Sequence, residues 1–442
     1  MLQSLTNRQL LGAVVVMVAM TAVLIRPEIR GYDGAGNFAY LMSLLGDGDF
    51  DFADDFLAID AYRGPATKMM LLPISPETGK ASNQFGIGSA LFWSPAVTAV
   101  FLMSSFFNND SQIGPTPAYA WAVALSTAVW TALGLILLLA RLKRQFSLSA
   151  SVLASFGIAV STALIFYGWL HGSMSHGVSF FLSVLSMIFF ERAVQMRTIF
   201  ALLALGVVTG LLAVTRYQDG VWLIAFGLVL LFRRSDSGKL RMDWRTAMLF
   251  TGGAALVLFP QMIMWNYLYG SWFSGPVPHF GYHEKALQWW PVHLLDVLYS
   301  GRGGVFFWHP ILLVGLVGLV RFRGVFEKPF LQAVFVGMIL QLYLIGSWSG
   351  WWGGASFGNR FFISSYPWIC LGLGAVLHHL IERRRMRLAV FIVILLSIWN
   401  AGLLIQYGLK IVPRSGEVVW TEIIINQFWQ VPLALITYVL AP

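Results

Sequence analysis

Twelve apolar runs divide this chain, and no other feature restricts its fold so tightly. They cover residues 10–25, 85–106, 118–140, 149–169, 177–190, 199–214, 221–232, 246–265, 305–320, 329–346, 361–380 and 388–405. A run of this kind approaches the length of helix needed to cross hydrocarbon, where every backbone N–H and C=O must find its partner inside the segment. With 57% hydrophobic and 11% charged residues, the chain is not an ordinary soluble domain. It reads as an all-α polytopic membrane protein.

The loops sort by charge. "RLKR" (141–144), "ERAVQMR" (191–197), "RRSDSGKLRMDWR" (233–245), "RFRGVFEK" (321–328) and "ERRRMR" (382–387), together with Arg8, hold 18 of the 29 Lys and Arg. Basic clusters that recur between apolar runs mark the cytoplasmic side. The net charge of +9 is therefore a topology signal, and no nucleic-acid partner is expected. The loops "HGSMSH", "TRYQDG", 266–304 and "WSGWWGGASFGNR" then face the other side. Cys370 is the sole cysteine, which excludes an intrachain disulfide. The first run has Arg8 before it, "RPEIR" after it and no small-residue cleavage site, so it reads as an uncleaved anchor.

The charge alternation conflicts with a simple count. If the N-terminus is cytoplasmic and 85–106 spans, "RLKR" lands outside. Either the N-terminus is outside, which Arg26 and Arg30 mildly favour, or 85–106 lies bent at the interface, which Pro95 and the small residues of "GIGSALFWSP" suit.

Residues 26–84 carry nine of the 20 Asp and Glu. Within them, "NFAYLMSLLGDGD" reads as a short amphipathic helix with Phe38, Leu41, Met42 and Leu45 on one face, ended by Gly46 and the "DGD" turn. Asp33 is expected just before this helix, where an aspartate caps a helix or turns the chain as readily as it acts in chemistry. In 346–362, three Trp, five Gly and Arg360 fit an interfacial aromatic belt. They equally fit a sugar- and phosphate-binding surface, because rings stack on sugar faces and a guanidinium grips phosphate in two places. Arg216, at the end of an apolar helix, fits either headgroup snorkelling or the same role. His279 and His283 are four apart, but Pro278 and Gly281 interrupt them. No metal ligand is assigned, and a divalent metal stays an open cofactor.

The ordered set "YDGAGNFAYLMSLLGDGDFDF", "NQFGIGSALFWSPA", "HGSMSHGVSFF", "TRYQDG", "SGRGGVFFWHPILL" and "GSWSGWWGGASFGNRFF" resembles the bacterial GT-C membrane glycosyltransferases. That superfamily includes the protein O-mannosyltransferases and the lipid A aminoarabinose transferase. The likeness runs from the first helix to about residue 380. It implies a polyprenyl-phosphate sugar donor, an active site on the non-cytoplasmic face, and a first-loop acid as base. Asp33 takes that place. Where the better-known relatives carry two adjacent acids, Asp33 is followed by Gly34, so Asp54 and Asp55 become candidates for a second carboxylate. "SNQFGIG" also stands where relatives carry a "KPP"-type segment.

The resemblance settles the count by placing the acidic loop with the aromatic loops. The N-terminus is then cytoplasmic, 85–106 does not cross, and about 11 helices span. The expected organisation is a single GT-C-like domain over 1–405, with a first extracytoplasmic loop at 26–117 carrying juxtamembrane helices. Further loops of that side are 266–304 and 347–360, and a tail over 406–442 lies outside or against the membrane. The expected setting is a bacterial inner membrane with a periplasmic active site. Donor phosphate is assigned to Arg216, Arg302, Arg360 and Lys68. Substrate contacts are assigned to Tyr32, Asn37, Asn83, Trp351, Trp352 and Asn359. The expected partners are a polyprenyl-phosphate-linked sugar, a glycan, lipid or protein acceptor, and membrane lipids. A transporter or flippase for a lipid-linked sugar is the alternative. Against it, the runs hold almost no Asp, Glu, Lys or Arg, with His309 and the pair His378–His379 as exceptions, and no internal repeat is evident.

Overall fold

The computed structural model describes residues 5–63, 74–108, 113–234, 240–273, 287–290, 292–413 and 418–440. Lys68, His279, His283 and Glu284 lie outside them. The described chain is helical, apart from a two-stranded antiparallel ribbon, β1 (Phe232–Arg234) with β2 (Leu240–Met242), in a basic loop.

The helices run in chain order as α1 (Asn7–Leu24), α2 (Gly31–Leu41), α3 (Phe52–Arg63), α4 (Gly88–Asn108), α5 (Pro117–Lys143) and α6 (Leu148–Val160). There follow α7 (His176–Met196), α8 (Ile199–Thr215), α9 (Val221–Leu231), α10 (Trp244–Tyr269), α11 (Leu294–Tyr299) and α12 (Val305–Trp308). The last six are α13 (Pro310–Arg321), α14 (Lys328–Gly346), α15 (Tyr366–Glu382), α16 (Met386–Gly408), α17 (Trp420–Phe428) and α18 (Gln430–Leu440). Among the described residues, eight helices are long and apolar enough to cross a membrane, and four shorter apolar helices accompany them. Many large apolar side chains point outward, among them Val18 on α1, Leu256 on α10 and Phe391 on α16. Such a surface needs a hydrocarbon surround, and the protein is a multi-pass membrane protein.

Two expected spans are broken, each for a local reason. The run 149–169 forms α6, which stops at Val160, and the Thr162 hydroxyl takes the Ile158 carbonyl of its last turn (2.6 Å). The carbonyls freed at the break are taken by the Asn400 amide, which donates to Val160 (2.8 Å) and Thr162 (3.1 Å). The run 305–320 is broken at His309, since Pro310 has no N–H to continue a helix and instead begins α13. Conversely, α4 passes through Pro95 as a continuous helix of 21 residues.

The chain forms two compact units. One comprises 1–10, 135–166 and 286–442, and the other 11–134 and 167–285. In the first, α13 and α15 meet through Gly315, Gly318 and Gly372, where an added Cβ would collide with the facing backbone. This is the close approach that small residues allow between apolar helices. The tail returns to the same unit: Gln427 accepts from Gln406 (2.6 Å) and donates to the Trp399 carbonyl (2.7 Å) on α16. In the second, α8 and α10 meet in the same way through Gly206 and Gly253. The first-loop helices α2 and α3 pack there on a buried cluster that includes Phe38, Tyr40, Phe52, Trp93 and Tyr269.

Candidate functional site

The amphipathic first-loop helix is where the sequence places it, with Phe38, Leu41 and Met42 buried. Its start differs. Gly31 (φ +66°) reverses the chain after Arg30 and α2 begins there, so Asp33 is not the cap before the helix but sits inside its first turn. A carboxylate in that turn faces the positive end of the helix dipole. Asp33 is half-buried, and its backbone carbonyl accepts from the Asn37 amide (2.7 Å).

Two segments hold α2 in place. The 171–176 turn anchors its start, with the Ser173 hydroxyl accepting from the Arg30 N–H (3.0 Å). The 83–88 segment runs along its flank. Asn83 donates to the Gly36 carbonyl (2.8 Å), and the Phe85 carbonyl accepts from Tyr40 (2.6 Å) and Tyr217 (3.1 Å). Gly36 is obligatory, since a Cβ there would collide with the Phe85 ring. The Tyr32 ring meets Phe85 edge-on at 5.8 Å. On the other side of this segment, Gly86 and Gly88 press on the backbone of Val214 and Thr215, the residues that lead into Arg216.

Arg216 is buried, with 7% exposure, so it does not snorkel. Its Nη1 reaches the Ser175 hydroxyl at 3.2 Å and His176 Nε2 at 2.7 Å, and its Nε lies 3.7 Å from the Asp219 carboxylate. Because a guanidinium only donates, His176 Nε2 must accept, which places the ring proton on Nδ1. Ser179 donates to Asp219 (2.6 Å), and Tyr167 stacks on His176 at 4.3 Å. Sequence reasoning singled out Arg216 but missed Ser175, His176, Ser179 and Asp219. Ser175, His176 and Asp219 were visible in "HGSMSH" and "TRYQDG", and burial of a lone arginine demands such partners.

The other unit gathers the aromatic loop. Arg302 lies with its guanidinium 3.9 Å from the centre of the Trp352 ring. Trp351 stacks on His293 at 5.9 Å and meets Trp352 edge-on. Arg360 begins a short 3-10 turn, partly buried. Asn359 is spent on structure, accepting from the Phe361 N–H (3.3 Å) and donating to the Trp351 carbonyl (3.1 Å). Asn83 is spent likewise: besides bonding Gly36, it accepts from the Phe85 N–H (3.2 Å). Asn37, in contrast, has a buried Oδ1 that no described residue bonds.

The secondary acids are not beside Asp33. Asp47, Asp54 and Asp55 come together with carboxylate oxygens within 4.8 Å of one another, where the helical segment that holds Asp33 in its first turn ends at Asp47. Asp55 is buried. Burial, then the charges of Asp54, Asp47 and Asp49, push its carboxyl up to about 8 against a weaker lowering by Ser43.

No protein-family model matches the chain, and no curated protein matches it in sequence. Among solved structures, the fold is similar to that of ArnT from Cupriavidus metallidurans in the apo state. The TM-score is 0.51 at 13% identity, covering 95% of this chain and 75% of that one. The Archaeoglobus fulgidus oligosaccharyltransferase AglB, in complex with an inhibitory peptide and a dolichol-phosphate, aligns with a TM-score of 0.45 at 13% identity over 88% of this chain. The chain spans about half the length of the archaeal structures it matches, 52% to 56%. The likeness to ArnT is one of fold. The all-α polytopic bundle expected from the sequence is the architecture found, and its fold is similar to that of ArnT.

Proposed function

We propose that the protein is an integral membrane glycosyltransferase that moves a sugar from a polyprenyl-phosphate donor to an extracytoplasmic acceptor. The acceptor is a glycan, a lipid such as lipid A or an O-antigen carrier, or a protein such as a pilin. One observation carries the reading. Four motifs far apart in sequence, containing Asp33, Asn83, Ser173 and Arg216, converge in one unit and hold a half-buried carboxylate in a helix's first turn. The ArnT-like fold supports it.

In this mechanism the acceptor oxygen attacks C1 of the sugar, and the C1–O bond to the phosphate breaks with its electron pair leaving on the phosphate. Asp33 takes the acceptor proton. One displacement gives inversion. Cations stabilise the charge that grows on the departing phosphate, and the reading assigns this role to Arg302, Arg360, Arg216 and Lys68. Arg302 is suited to it because its guanidinium lies against the Trp352 ring and its planar fork of N–H donors matches a phosphate. Trp352, half-buried, is the ring assigned to a sugar face, whereas Trp351 is buried and stacked on His293, so it supports Trp352 rather than meeting substrate. Tyr32 and Asn37 flank Asp33 on α2 as acceptor contacts. The setting we propose is a bacterial inner membrane, with the N-terminus cytoplasmic, α4 at the interface, and the chemistry on the periplasmic side.

The test is transfer of labelled sugar from a polyprenyl phosphate by purified Asp33→Asn in detergent. Asn keeps the shape but removes the base. Transfer should fall by about 10²–10⁴-fold, with donor binding and folding kept and Asp51→Asn close to wild type. Near-normal transfer by Asp33→Asn would reduce that residue to a helix-start acid. Movement of the lipid-linked sugar across vesicles by wild type, without transfer, would make the protein a transporter.

A further inference from the structure

The acids left unused by the proposed reaction occupy a site of their own. Asp47 closes the π-helical turn Met42–Asp47, Gly48 (φ +76°) reverses the chain, and α3 then brings Asp54 and Asp55 back in its first turn. Carboxylates from both sides of the reversal thus face each other. Their oxygens lie within 4.8 Å of one another, the separation that two oxygen ligands about 2.4 Å from one calcium-sized ion can span.

Asp55 shows what the arrangement lacks. It is 2% exposed, on a helix whose Phe52, Phe56 and Ile59 are also buried, and neither of its carboxylate oxygens has a hydrogen-bond partner among the described residues. The Ser43 hydroxyl is near enough to favour the ionised Asp55 weakly, but its proton goes to Asp49, at 3.1 Å to the carbonyl and 3.0 Å to the carboxylate. Lys80 is held on Tyr267, bonding its hydroxyl at 2.9 Å, and its charge acts on Asp51 and Asp49. A buried, unbonded carboxylate aimed at two others is strongly unfavourable when ionised unless a cation joins them.

We propose that Asp47, Asp54 and Asp55 bind an oxygen-liganded divalent cation, calcium-like in size, that clamps the end of the first-loop helix to α3. Such hard cations take carboxylates of mixed denticity and fill remaining positions with water. The site is distinct from the reaction centre proposed above: Asp33 lies fourteen positions before Asp47, roughly 20 Å along the helix. The ion would fix the shape of the loop without touching the sugar.

The experiment reads binding, so its failure leaves the glycosyltransferase reading untouched. Chelator-treated protein in detergent is titrated with Ca²⁺, Mg²⁺ and Mn²⁺ by calorimetry, and its unfolding is followed with and without each ion. The expected result is saturable Ca²⁺ binding with Kd of about 10⁻³ M or tighter and a Ca²⁺-dependent rise in Tm. Asp54→Asn and Asp55→Asn should each weaken binding at least about tenfold and lose the rise, while Asp33→Asn keeps both. Asn is the neutral isostere of the carboxyl, so in chelator Asp55→Asn should be about as stable as wild type. If none of the three ions binds at millimolar concentration, or if both variants bind like wild type, the proposal is overturned. An unfolded Asp55→Asn overturns it too, because it would mean that the protein itself satisfies that carboxylate.

Discussion

Arg216 is the residue whose replacement tests the structural argument most directly. Its side chain and that of Asp219 are 6% and 1% exposed, with Nε and Oδ2 3.7 Å apart. Arg216→Met keeps the bulk but removes the charge, leaving Asp219 buried with Ser179 as its remaining neutral donor among the bonds described above. Breaking a buried pair from one side costs about 3–5 kcal/mol, because the abandoned charge keeps its desolvation penalty without its partner. Adding Asp219→Asn removes that charge, so the double variant should recover most of the loss. A recovery of about 2 kcal/mol or more would be a coupling of the size seen for contacting residues. Arg216→Lys keeps the charge but cannot reach Ser175, His176 and Asp219 together, and it should fall between. The assay is unfolding in mixed micelles of rising SDS content. If Arg216→Met is as stable as wild type, the guanidinium is not held by these partners and the buried-pair reasoning fails. Wild-type stability with lost transfer would instead make Arg216 a substrate ligand alone.

Three further outcomes follow from the geometry. Arg302→Lys keeps a cation but loses the flat face lying on Trp352, so donor binding should weaken by about fivefold, the worth of a cation–π contact of about 1 kcal/mol; unchanged affinity in a donor-binding titration would free Arg302 of that role. Cysteines at Glu77 and Thr116, exposed positions before and after α4, should both react with an impermeant reagent from outside; protection of Thr116→Cys until permeabilisation would mean that α4 crosses. Burial works to raise the Asp243 carboxyl, but its bonds to Thr246 and the charge of Arg197 outweigh burial and hold it below the usual value. Its contribution to stability is therefore present above the unfolded value of about 4 and lost as pH falls through the folded one. Asp243→Asn should flatten that part of an acid-unfolding curve, and an unaltered curve would show that the pair contributes nothing.

The sequence by itself determined that this is a multi-span helical membrane protein, because runs of apolar residues have no other way to satisfy their backbone in hydrocarbon. It placed the first-loop helix and its buried face, since a 3.6-residue period is a local property. The family resemblance anticipated the fold. Local pattern misjudged what depends on single backbone bonds: the run 149–169 is cut where Thr162 and Asn400 take over the carbonyls, and Asp33 belongs to its helix because Gly31 turns the chain two residues earlier. Only the tertiary structure decided which polar residues face one another. Asn83 and Asn359 looked like ligands and proved to be staples. Arg216 fitted a headgroup anchor or a phosphate ligand equally well, and it proved to be buried against His176 and Asp219, residues 40 and 3 positions away. Asp55 was one of the nine acids of residues 26–84 until folding buried it. Composition counts charges, but burial sets what each one requires, and burial is a property of packing between segments that the sequence keeps far apart.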